Sequence, residues 1–267
     1  LWLHACTQHT QVIILMAGLL PDAAVTLSTM GTCLTINAWL YMMPLGLSQA
    51  VNTSISNALG AGARGEGVPM LRASRERVRP VCHHLATTPP ARATTHRHHR
   101  HHNHTGHAAS AKRAFIGGLL SGTAMQGLLV LLIITQGRAL VGLFTTDPAV
   151  ITSSCAVLPL LAILVFFDGL NSVVSGVLRG SGRQMLGATV NAFGYFVVGL
   201  PLCALLAFKA GWGVEGLWWG VIVGACVQAV VLLSMLLRWE WPREVARVQA
   251  LLKHAEASGK PMPSFGH

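Results

Sequence analysis

Six stretches of mostly apolar sequence follow one another along this chain with almost no charge inside them. A membrane-crossing helix needs roughly 20 such residues. The first stretch runs from about Leu3 to Leu20 and closes at Pro21-Asp22, with His4, Thr7, Gln8, His9, Thr10 and Gln11 diluting its first half. The second, about Leu27 to Leu59, is too long for one straight span and carries Pro44 near its middle, where a proline kinks a helix. The others are Phe115 to about Ile134, Ile151 to about Leu178, Leu186 to Phe208 and Leu217 to Leu237. Backbone in lipid must satisfy its own hydrogen bonds, which leaves helices or a closed barrel. These runs lack the alternation of barrel strands and are too long for them, so the expected class is an all-α membrane protein, a six-helix transmembrane bundle.

Composition agrees. Charged residues are 10% of the 267 and hydrophobic residues 52%, against about a quarter charged in ordinary soluble domains. A net charge of +10 ordinarily points to nucleic acid. Here ten Lys and Arg against two acids fall between Arg64 and Arg113, so the excess belongs to one loop and no nucleic-acid partner is expected. The six cysteines lie far apart without a CxxC pair and read as buried thiols. Leu1 stands where a Met would open a chain, and no signal-peptide pattern follows, so a fragment is expected.

Charge also orients the spans. The turns near Pro21, Thr145–Pro148 and Lys209–Gly213 hold Asp22, Asp147 and one Lys, whereas Arg64–Arg113, Arg179–Arg183 and the tail with Arg238, Arg243, Arg247 and Lys253 are basic. Basic loops stay in the cytoplasm, and six spans then place both chain ends there. Trp212, Trp218, Trp219, Trp239 and Trp241 bracket the last span as interfacial anchors or as core residues. Glycines four apart, Gly176 with Gly180 and Gly216, Gly220 and Gly224 in series, allow close helix approach. The chain thus divides into residues 1–62 with two membrane helices, a basic His-rich disordered cytoplasmic loop at 63–113, four further helices at 114–240, and a cytoplasmic tail at 241–267. Nine of the 13 His sit in that loop. A solvated loop, a regulatory metal sensor and a gene-prediction artefact are all open readings of it. No structural or catalytic metal site and no cofactor are expected, because the tract offers no fixed ligands.

Several segments together resemble the multidrug and toxic compound extrusion (MATE) family in its plant and algal branch. They are Tyr41-Met-Met-Pro-Leu-Gly-Leu-Ser-Gln-Ala50, Ser56-Asn-Ala-Leu-Gly-Ala-Gly62, Phe167-Asp-Gly-Leu170, Ser175-Gly-Val-Leu-Arg-Gly-Ser-Gly-Arg-Gln184, Gly187-Ala-Thr-Val-Asn191, Gly199-Leu-Pro201 and Gly216-Leu-Trp-Trp-Gly220. The resemblance covers roughly residues 10–62 and 115–245 and places the chain on the C-terminal lobe, spans seven to twelve. It implies a secondary active antiporter, or its C-terminal half, that exports organic cations, secondary metabolites or xenobiotics in exchange for H⁺ ahead of Na⁺. The expected setting is the plasma or vacuolar membrane, with an N-terminal six-helix lobe as partner. A truncated or degenerate lobe without independent transport is the alternative. The sequence offers no cluster, nucleophile elbow or phosphate loop that would make it an enzyme.

Asp168 is the one acid deep in a span, and an ionisable group there is a functional candidate by default. The family keeps an acid at this place, facing the cavity. Burial favours the neutral form of a carboxyl, which lets proton exchange follow the side to which a cavity opens. Asn171, Tyr41 and Tyr195 are the expected companions around the cavity, with Pro44 as hinge. Arg179, Arg183, Gly180, Gln184 and Asn191 are assigned to topology and packing. The chain departs from the family pattern at Cys6 and Gln11, where other members have acids, and His9 is the nearby titratable group.

Overall fold

The computed structural model describes residues 2–60 and 102–257, and within them every regular element is helical. The tract at 63–101, with the readings made of it, and the tail beyond 257 lie outside the described residues. Helix α1 covers Trp2–Ala17 and α2 Ala23–Gly60, with Pro44 inside it. Helix α3 covers His102–Gly142 and α4 Pro148–Gly180, whose N-cap Asp147 accepts from the amide of Ala149 at 2.9 Å. Helix α5, Gln184–Ala192, passes into a π-helical stretch at Phe193–Gly199, one α-helical turn α6 at Leu200–Ala204, and a second π stretch at Leu205–Lys209. Helix α7 is Gly213–Leu237 and α8 is Trp241–Ala257.

Among the described residues, four helical segments are long and apolar enough to cross a membrane: His107–Gly142, Pro148–Gly180, Gln184–Lys209 and Gly213–Leu237. The other two expected spans are helical. However, α1 is 16 residues long, and α2 is diluted by Thr, Ser and Asn, of which Thr26, Thr29, Ser48 and Asn52 are buried. Helix α3 begins at His102, so residues 102–113, read from sequence as part of the loop, are helical. The Ala-rich run from His107 to Ala114 favours helix, and Ala108, Ala111 and Phe115 recur on one buried face. Part of the expected tail is likewise the amphipathic helix α8, which buries Trp241, Val245, Val248 and Leu252.

Helix α4 is the axis of the bundle. The pairs Gly176–Ser48 and Gly180–Asn52 show it running parallel to α2, whose backbone comes so close that neither glycine leaves space for a Cβ. Gly122 against Val173 and Gly137 against Leu158 show α3 antiparallel to α4. One apolar cluster gathers Ile13, Met30, Ile36, Leu161, Leu164, Leu217 and Trp218, and a second gathers Ile55, Phe115, Val174, Leu178, Leu232 and Trp241. Along α4 the two are separated by the polar step Asp168, Asn171 and Ser172. Burying an amide or carboxyl there is costly unless it is paired or faces a cavity, and this step is where the cavity lies.

Candidate functional site: a cavity around Asp168

A cavity of about 440 Å³ opens beside the polar step, walled by α1, α2, α4, α5, the first π stretch and α7. Asp168 reaches it from α4. Its Oδ1 accepts a hydrogen bond from the hydroxyl of Tyr195 at 3.1 Å, and its Oδ2 accepts from Nδ2 of Asn37 at 3.5 Å. Both donors are neutral, so neither cancels the carboxylate charge. The ring of Tyr195 stacks on His9 of α1, with centroids 4.1 Å apart and planes 14° from parallel. Tyr41, Gln11, Met30 and Trp218 line the same space. The arrangement can bind a proton or an organic cation at the carboxylate and hold an apolar body against the aromatic wall.

Backbone geometry places Tyr195. The π stretch Phe193–Gly199 widens the helix by one residue per turn, a device frequent at functional positions. It fits against α7 only through glycines, since a Cβ on Gly224 would stand 2.8 Å from the carbonyl oxygen of Gly194. The glycine series read from the sequence is therefore the contact surface that brings Tyr195 towards α4.

The remaining sequence candidates separate into groups. Asn171 and Asn191 are buried on the cavity wall, and Nδ2 of Asn171 donates to the carbonyl of Ala225 at 3.0 Å. Pro44 and Arg179 belong to a chain of contacts between α2 and α4. Arg179 Nη2 donates to Ser48 Oγ at 2.6 Å, and Ser172 Oγ donates to the Pro44 carbonyl at 3.2 Å. Proline has no N–H, so the Leu40 carbonyl loses its partner one turn back. Gly180 sits at the α2 contact. Arg183 leaves the cavity altogether: it pairs with Glu244 of α8 and lies over the Trp239 ring, 5.2 Å from its centroid. Gln184 opens α5 with its side chain exposed, and a position in the first turn after the loop does not reach between helices as expected. Trp218 is 1% exposed and a core residue, whereas Trp212 and Trp219 face outward. Cys6 falls in α1, but its side chain is outside those described. No group of three or more potential metal ligands occurs among the described residues.

Asn37 and Gln228 join the site with no signal in the sequence beyond Gln228 being the one amide in α7.

A helical bundle with a solute-sized cavity and a carboxylate in its wall has the architecture of a membrane transporter lobe. The family model described as MatE matches residues 6–68 and 105–205, and the chain belongs to this family, the multidrug and toxic compound extrusion transporters. It is 28% identical to Protein DETOXIFICATION 41 of Arabidopsis thaliana over 97% of this chain and 42% of that protein. It is 34% identical to Multidrug and toxin extrusion protein 1 of Oryctolagus cuniculus over 82% of this chain and 31% of that one. The crystal structure of the eukaryotic MATE transporter AtDTX14 superposes with a TM-score of 0.70 at 27% identity, over 91% of this chain and 44% of that chain. An outward-facing multidrug resistance MATE transporter shares the fold at a TM-score of 0.58 and 15% identity. The chain thus corresponds to the C-terminal lobe and spans about two fifths of the length of the plant relatives it matches. Members of the family are integral membrane transporters rather than enzymes.

Proposed function

We propose that this lobe takes part in secondary active antiport, exporting small organic solutes in exchange for H⁺, with Asp168 as the residue that exchanges protons against cationic solute. One observation carries the reading: the carboxylate of Asp168 faces the cavity and is held there by Tyr195 and Asn37, both uncharged. A carboxylate so held stays free to trade a proton for a cation. Organic cations, secondary metabolites and xenobiotics are the solutes in view, and protons come before Na⁺ because a single acid with two neutral donors is a poor cage for a hard cation. His9, stacked on Tyr195, is a second titratable group at the site.

In this reading α1 and α2 join the four apolar segments as membrane spans, giving six. Arg179, Arg183, Arg238 and Arg243 then mark the cytoplasmic face, in the plasma or vacuolar membrane. Alternating access works by two bundles moving around a shared site, so the lobe operates with a second, N-terminal lobe. The coverage of relatives also favours a second reading, in which this chain alone holds solute without moving it across the membrane.

Reconstitution into proteoliposomes together with an N-terminal six-helix lobe, with an imposed pH gradient and a fluorescent organic cation, tests the proposal. Gradient-driven accumulation that is lost in Asp168→Asn supports antiport. Saturable binding without accumulation supports the second reading. Absence of both overturns the assignment of the cavity.

A further inference from the structure

The cavity has a second polar end whose chemistry differs from that of Asp168. Gln228 of α7 lines it, is 1% exposed, and neither its Nε2 nor its Oε1 meets a hydrogen-bond partner among the described residues. Asn171 lines it too and is 4% exposed. Its amide orientation is set by the 3.0 Å bond from Nδ2 to the Ala225 carbonyl, and its Oδ1 has no partner among the described residues. Ala225 and Gln228 are three apart and share a face of α7, so the two amides neighbour one another. Asn191 lines the same wall.

Leaving a buried amide unpaired in an otherwise well-packed protein costs free energy. Two such amides at one cavity point to a complement that the solute brings. Their unpaired atoms are two carbonyl oxygens, which accept, and one NH₂, which donates. An ammonium has no lone pair to accept from the NH₂, and an apolar group meets none of the three. A hydroxyl meets both kinds of atom, since its proton goes to one of the amide oxygens while its own oxygen accepts from Gln228 Nε2. No charge is involved, so this end adds selectivity without competing with Asp168 for the cation.

We propose that Asn171 and Gln228, with Asn191 on the same wall, form a neutral subsite that selects cationic solutes bearing a hydroxyl group. The proposal rests on the reading of the cavity as the solute site and names a class of solute for it.

Two probes that differ by one hydroxyl test it: tyramine and phenethylamine, titrated into the purified full chain in detergent micelles by calorimetry. Tyramine is expected to bind roughly three- to tenfold more tightly, the effect of one hydrogen bond. In Gln228→Leu that ratio falls to about one, as it does in Gln228→Met, which is closer in shape, with circular dichroism melts verifying the fold of both. A wild-type ratio of one, or a ratio that survives both substitutions, overturns the subsite. Equal loss of both probes in both variants overturns it as well, because a residue that reads a hydroxyl must discriminate. Asp168→Asn separates the two ideas: it is expected to weaken both amines alike. If it leaves both affinities unchanged while the ratio persists, the role given to Asp168 fails and the subsite stands. If neither amine binds the wild-type chain, both fail.

Discussion

The hydroxyl of Tyr195, carried on the π-helical stretch Phe193–Gly199, donates to Oδ1 of Asp168 on α4 at 3.1 Å. The same ring stacks on His9, so a single side chain joins α1, α4 and the span that begins at Gln184. Tyr195→Phe keeps the stack and removes the donor. It is expected to lower stability by about 1.5–3 kcal/mol, the usual cost of losing a hydrogen bond to a charged group. Tyr195→Leu, which loses the stack too, lowers it further. Thermal denaturation in micelles orders the three proteins, and a phenylalanine variant as stable as wild type would deny the bond its role.

Glycine matters where backbones touch. A Cβ on Gly224 would stand 2.8 Å from the Gly194 carbonyl, with the Tyr195 ring 3.4 Å away. Gly224→Ala is therefore expected to cost about 1–3 kcal/mol, as overpacking does, and to push the π stretch and Tyr195 off α4. Gly31, exposed on α2 with nothing within 4 Å of where a methyl would stand, is the control. Alanine there is expected to be neutral or to stabilise by up to about 1 kcal/mol. Melting of the two variants side by side checks the contrast, and equal behaviour would contradict the packing.

Helix α8 is held to the bundle by charge as well as by apolar contact. Glu244, 7% exposed at its side chain, takes Arg183 on one oxygen and Nε of Arg247 at 2.9 Å on the other, while Arg247 Nη2 bonds the Ser181 carbonyl at 2.7 Å. Removing the charge with Glu244→Gln weakens both pairs. Hydrogen bonds to charged groups contribute about 1.5–3 kcal/mol, so trypsin cleavage within α8 is expected to accelerate by at least about tenfold where cleavage follows the open population. Unchanged cleavage would mean that Trp241, Val245 and Val248 hold the helix unaided.

Much of this arrangement was legible in the sequence because the bilayer restricts what a chain can do. Length and apolarity alone located four of the spans, and the glycines spaced four apart fall where α4 meets α2 and where α7 meets the span that begins at Gln184, although their spacing named neither partner. Asp168 stood out as a lone acid in a span. Asn37 and Gln228 did not, because a polar side chain in a helix announces neither the face it occupies nor what lies across from it. The π stretch was also hidden, since Phe193–Gly199 has the composition of an ordinary apolar helix and its widening comes from packing against glycines. Arg183 was read as a topology signal. Its partner Glu244 lies 61 residues away, in a segment that looked like a tail.

The central claim is that one carboxylate serves both proton and cation, and calorimetry measures this directly. Phenethylamine is titrated into the purified chain in two buffers of different ionisation enthalpy, which gives the protons released per cation bound. At a pH where the site is partly protonated, the wild-type protein is expected to release a measurable fraction of a proton, up to one, and Asp168→Asn none. Equal release by both proteins would place the exchange elsewhere, with His9 the first group to examine, and would contradict the account of the cavity.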